Sequence, residues 1–126
     1  MAYKPENYND LSPYLIVDDP KGLISFLEMA LDGKTKYIVE HEGRVVHAEV
    51  QLGDSIVMLS GANEQYPAVK SVLHLYLPNV DAAFERCLQA GGVEFHPPQQ
   101  QPGESDRRGT FTDPYGNMWS LGTKTS

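Results

Sequence analysis

The sequence predicts an α+β fold of two tandem βαβββ units, and three observations lead to it. An apolar stripe at helical spacing occurs twice, each time preceded and followed by segments with strand character. The order of segments repeats at about half of the 126-residue chain. Gly, Pro, Asn or Asp stands at nearly every boundary between segments, where turns and caps need those residues.

Residues 1–10 are polar and irregular and read as a flexible N-terminal arm. The first unit spans 11–61. Residues 12–17 are rich in β-branched and aromatic side chains and predict a strand. Asp18, Asp19 and Pro20 then offer an N-cap with proline at the first helical position. Leu23, Phe26, Leu27, Ala30 and Leu31 follow at i, i+3, i+4, i+7 and i+8, which is one face of a helix, and Gly33 is placed to stop it. Strands are predicted at 35–40, 44–52 and 55–60, joined by His41, Glu42 and Gly43 and then by Gly53 and Asp54.

A linker at 62–71 leads to the second unit, 72–123. Residues 72–77 read as a strand, and Pro78 and Asn79 end it beside a second cap. Val80, Ala83, Phe84, Cys87 and Leu88 form the second stripe, closed by Gly91 and Gly92. A short strand is predicted at 93–96, and 97–103 is too proline-dense for a sheet interior, so it is assigned to a loop. Strands at 108–112 and 117–121 flank the turn residues Asp113, Pro114, Tyr115 and Gly116. Tyr14 and Leu15 match Tyr76 and Leu77, and Asp19 matches Asp81, at an offset of 62; Gly53 matches Gly116 at 63. The second helix is expected to be about a turn shorter than the first.

A net charge of -7 argues against nucleic acid, whose phosphates require a basic face. No apolar run approaches the roughly 20 residues of a membrane helix, and the N-terminus has no secretory apolar segment, so no membrane partner and a cytoplasmic location are expected. The single cysteine, Cys87, sits on the second apolar stripe and reads as a buried structural thiol.

Residues 14–19 and 47–59, then 74–77 and above all 106–121 (Asp-Arg-Arg-Gly-Thr-Phe-Thr-Asp-Pro-Tyr-Gly-Asn-Met-Trp-Ser-Leu), carry a resemblance to the vicinal-oxygen-chelate proteins. The chain resembles the glyoxalase/bleomycin-resistance/dioxygenase superfamily, and within it the PhnB-like branch. The resemblance implies two modules that curl a mixed sheet around a central cavity. It implies either metal-dependent lyases, isomerases, dioxygenases and thiol transferases or metal-free drug-binding proteins. It also implies a homodimer whose subunits share each cavity, with residues 97–107 near the mouth.

Strand alternation separates the face that packs on a helix from the face that looks into such a cup. Val46, Ala48, Val50 and Leu52 are assigned to the helix side, and His47, Glu49 and Gln51 to the cup. Leu73, Leu75 and Leu77 oppose His74 and Tyr76, which the repeat maps onto Ser12 and Tyr14. Trp119 and Leu121 oppose Met118 and Ser120, making Trp119 a core anchor. The expected ligand-binding residues are therefore Ser12, Tyr14, His47, Glu49, His74, Tyr76, Met118 and Ser120, with Tyr37 and Phe111 as further apolar surface.

In metal-dependent relatives each module gives one ligand from its first strand and one from its last. The corresponding positions are Ser12, Val57 or Met58, His74 and Ser120, of which only His74 is a strong ligand, so no metal and no cofactor are expected. A divalent metal held by His47 and Glu49 with His74 is the alternative. The expected function is metal-free binding of a mostly apolar or aromatic small molecule. The rival is an enzyme of the same fold that uses a metal, or Glu49 and His47 as a general acid/base pair.

Overall fold

The computed structural model describes residues 2–125. In chain order the elements are β1 (Tyr14–Val17), α1 (Pro20–Ala30), β2 (Lys34–His41), β3 (Arg44–Leu52), β4 (Ser55–Gly61), β5 (Val72–Tyr76), α2 (Val80–Gln89), β6 (Val93–Gln99), β7 (Asp106–Thr112) and β8 (Met118–Lys124). They form two four-stranded mixed sheets, ordered β1-β4-β3-β2 and β5-β8-β7-β6, so the expected tandem βαβββ architecture is present. In each sheet the first strand pairs parallel with the last, and the remaining pairs are antiparallel.

Local chemistry sets the helix ends. The Asp19 carboxylate accepts from Gly22 N at 3.0 Å, and Pro20 opens α1. Asn79 Oδ1 accepts from Ala82 N at 3.1 Å and starts α2, which is one residue shorter than α1 rather than a turn (11 against 10). Gly33 stops α1 by close approach. Its N–H donates to Leu27 O at 2.8 Å, and a Cβ there would sit 2.9 Å from both that oxygen and Val50 Cγ1.

One hydrophobic core unites the modules. Leu23, Phe26 and Leu27 of α1 and Ala83, Phe84 and Cys87 of α2 are buried with Leu15, Val50, Leu59, Phe111, Trp119 and Leu121 from the two sheets. The modules meet through their helices: Phe26 lies 6.0 Å from Phe111, Phe84 lies 6.1 Å from Phe111, and Arg86 Nε donates to Ala30 O at 3.2 Å. Cys87 is fully enclosed, and burial pushes its thiol up to about 12, as befits a structural cysteine.

Several expectations need correction. Val45, not Val46, packs in the core; a bulge opposite Val39 and Glu40 resets the alternation, leaving Val46 exposed and His47 still on the opposite face. Phe111 faces the helices and is wholly buried, so it offers nothing to a cup. The strand expected at 93–96 runs on through Pro97 and Pro98 to Gln99. It can do so because β6 is an edge strand, and its pairing with β7 is irregular between His96 and Gln99.

The turn at Asp113 is a buried polar knot. Its Oδ1 accepts from Tyr115 N at 2.8 Å and Asn117 N at 3.0 Å, and its Oδ2 accepts from Asn117 Nδ2 at 3.1 Å and Trp119 Nε1 at 2.8 Å. Asn117 Oδ1 in turn accepts from Ser71 N at 3.2 Å, tying the linker to β8. Asp113→Ala leaves buried donors without an acceptor and is expected to cost about 3 kcal/mol or more. Urea denaturation at neutral pH should show this as a lower midpoint with an unchanged slope.

Candidate functional site

Because both helices sit in the shared core, the helix-free face of each sheet points away from that core. The sequence-derived residues fall into two groups on these faces. On the first sheet, Tyr14 stands opposite Met58, and Met58 opposite Glu49; Tyr37 stands opposite Glu49 on its other side. On the second, His74 stands opposite Ser120, Tyr76 opposite Gly122, and Met118 opposite Val72. Ser12 is half-buried just ahead of β1. Within one chain the structure thus assembles Tyr14, His47 and Glu49 in one place and His74, Tyr76 and Ser120 in another, with Met118 one step along β8.

The first group forms a continuous hydrogen-bond chain. His47 Nε2 lies 2.7 Å from Glu49 Oε2, and its Nδ1 lies 3.1 Å from the Tyr14 hydroxyl, so the ring bridges the two side chains. Tyr8, from the segment before β1, donates to the other Glu49 oxygen. Asn9 Oδ1 accepts from Ile56 N at 3.0 Å, and Ile56 is buried although it lies on the helix-free side of β4. Residues 8 and 9 therefore cover one end of this face. No periodicity marks Tyr8 in the sequence; its role comes only from where the chain lies.

Burial pushes the Glu49 carboxyl up, but hydrogen bonds from His47 and Tyr8 and the adjacent imidazole outweigh it and hold the group below its ordinary value. The bond to Glu49 in turn pushes the Tyr8 hydroxyl up. Tyr14 and Tyr37 flank the imidazole, with ring centroids 5.7 and 6.2 Å from it. Tyr14 also lines a cleft of about 900 Å3 with Ile16, Val46, Ser60 and Tyr66, bounded by Arg44 on the β2–β3 hairpin.

In the second group His74 Nδ1 lies 2.9 Å from Ser120 Oγ, and the Tyr76 ring stands edge-on to the imidazole at 4.6 Å. Tyr76 donates to Asp106 at 2.6 Å; that bond is the main cause holding the Asp106 carboxyl below its usual range.

The metal positions of the fold can now be tested on this chain. Val57 is buried among the helix-side residues, so Met58 is the side chain presented on the face. His74 lies five residues before its helix cap, Asn79, and the residue five before Asp19 is Tyr14, itself opposite Met58. Tyr14 rather than Ser12 is therefore the counterpart of His74. Tyr14, Met58, His74 and Ser120 supply one imidazole and no carboxylate, which does not fit a divalent ion. Among the described residues no three His, Cys, Asp or Glu side chains converge.

This architecture agrees with comparisons to known proteins. Residues 10–121 match the model of the glyoxalase/bleomycin resistance protein/dioxygenase superfamily, and the chain belongs to that superfamily. Proteins of Mycobacterium bovis and Mycobacterium tuberculosis, both described as uncharacterized, are 33% identical over an alignment 124 residues long that covers 89% of this chain and 81% and 72% of theirs. TioX from a Micromonospora species shares the fold with a TM-score of 0.77 at 23% identity, over 92% of this chain and 98% of its own. The fosfomycin resistance protein FosX of Mesorhizobium loti superposes with a TM-score of 0.67 at 19% identity, over 99% and 95%. Among the described residues no helix is long and apolar enough to cross a membrane.

The carboxyl of Glu49 gives a pH test. Its folded value lies below the ordinary 4.5, so its contribution to stability is complete above that value and is lost as pH falls through the lower folded one. Urea melts at about pH 6 and about pH 3 should show a larger loss for the wild type than for Glu49→Gln.

Proposed function

We propose that this chain binds a mostly apolar or aromatic small molecule without a metal, in a cup whose floor is the Tyr14, His47 and Glu49 face. The observation that carries this reading is the hydrogen-bonded chain from Tyr14 through His47 to Glu49, flanked by exposed tyrosine rings and opening at Tyr14 into the cleft. Aromatic surface with a few fixed polar groups is the usual make-up of a small-molecule site. The four superfamily metal positions, with His74 alone as a strong ligand, support a metal-free site.

A second copy of the chain completes the cup. Val72, Tyr76, Val93 and Phe95 of the second sheet are exposed, as are Tyr14, Tyr37 and Val46 of the first. Two large apolar faces pointing away from one core suit mutual burial in a homodimer. The resemblance of residues 106–121 is what favours the PhnB-like branch, and a cytoplasmic location is part of the same reading. Acid/base catalysis by His47 and Glu49 is the second reading, favoured by their 2.7 Å hydrogen bond.

A thermal-shift screen of untagged protein tests the binding reading, since a ligand of the folded state raises its stability. Aromatic compounds should raise the melting temperature, and the rise should shrink in Tyr14→Ala. Metal analysis of the same sample should find no stoichiometric ion; Zn, Ni, Mn or Fe that disappears in His74→Ala overturns the metal-free site. Sedimentation velocity at micromolar concentration should show a dimer, and a monomer removes the shared cup.

A further inference from the structure

The helix-free face of the second sheet carries a polar row that neither the core nor the first-sheet site uses. His96 stands opposite Thr110, Thr110 opposite Ser120, and Ser120 opposite His74, so four strands present their side chains shoulder to shoulder. Thr110 Oγ1 is buried and has no hydrogen-bond partner among the described residues. A buried hydroxyl in that state costs free energy unless something outside the chain satisfies it. The next row runs Gln99, Arg108, Gly122 and Tyr76. A Cβ on Gly122 would stand 3.2 Å from His74 Cε1 and 3.4 Å from Arg108 Cγ, so glycine keeps open the gap between those two side chains. Beside the Thr110 hydroxyl lies a recess of about 340 Å3, within the roughly 300–1,000 Å3 of small-molecule sites.

The chemistry of the recess narrows its occupant. Among the described residues that line it, the guanidinium of Arg108 is paired to Glu104 at 2.9 Å, and Asp106 nearby already accepts from Tyr76. The remaining polar groups of its lining are the Thr110 and Ser120 hydroxyls, the His96 imidazole and the Gln99 and Gln101 amides, which together both donate and accept. An anion finds no unpaired cation here, and an apolar group leaves Thr110 unsatisfied. Groups that donate and accept at once, without charge, match the lining, and the Tyr76 ring beside His74 offers an apolar edge.

We infer that this row is a subsite for a neutral polyhydroxylated group, of the glycosyl type, carried by a ligand whose apolar part lies elsewhere in the cup. The inference deepens the binding function proposed above and rests on it. Full-length protein is titrated with methyl β-glucoside, methyl β-galactoside and methyl α-mannoside, and separately with para-nitrophenol. NMR signals of the Thr110 methyl and the His74 and His96 rings report binding.

At least one glycoside should shift all three signals. Thr110→Val, which keeps the side-chain shape and deletes the hydroxyl, should weaken that glycoside about tenfold, while Thr110→Ser retains it. Ser120→Ala serves as a second variant with the same expected loss. No shift with any of the three glycosides, or equal glycoside binding by Thr110→Val, overturns the subsite. Binding of para-nitrophenol at the Tyr14 face with no glycoside bound removes the subsite and leaves the proposed function standing. Glycoside binding with no aromatic binding does the reverse.

Discussion

The packing of α1 against α2 is the constraint on which the rest of this structure depends. Phe26, Phe84 and Phe111 meet where the two modules join, and each such ring contributes about 1.5–3 kcal/mol of burial. With the helices in the middle, both sheets must turn their helix-covered sides inward. Every polar residue placed by alternation on the other side is thereby sent outward, in two separate groups. The separation of His47 and Glu49 from His74 follows from this packing and from nothing in their own strands.

On the first sheet, several interactions converge on one carboxylate. Taking Glu49 out of water disfavours its charge, and the donors His47 and Tyr8 more than compensate. Because Tyr14 both bonds the imidazole and lines the cleft, a molecule in the cleft touches the end of a chain of exchangeable protons. The proposed binding and the rival acid/base chemistry would therefore share the same side chains, and the superfamily fold accommodates either.

Much of this was legible in the sequence, because periodicity reports which face of an element is buried. The stripes at Leu23 to Leu31 and Val80 to Leu88, the alternation of His47 and Glu49 against Ala48 and Val50, and the core position of Trp119 all follow from it. Three features did not. The bulge that exchanges Val46 for Val45 is a property of pairing with β2, not of β3 alone. The continuation of β6 through two prolines depends on its being an edge, which the linear order of strands does not reveal. Tyr8 lies 41 residues from Glu49 in a segment with no pattern, so only the folded path of the chain brings the two together.

Pro97 and Pro98 also have a consequence for how copies of the chain can meet. An outer strand with free N–H groups is a template on which another strand can add, and proline supplies none. Over those two residues β6 cannot donate to a neighbouring backbone, so on its β6 side the second sheet resists growing into a longer ribbon. On that rim an extended backbone finds no donors over two residues, and contact with another molecule is left to side chains.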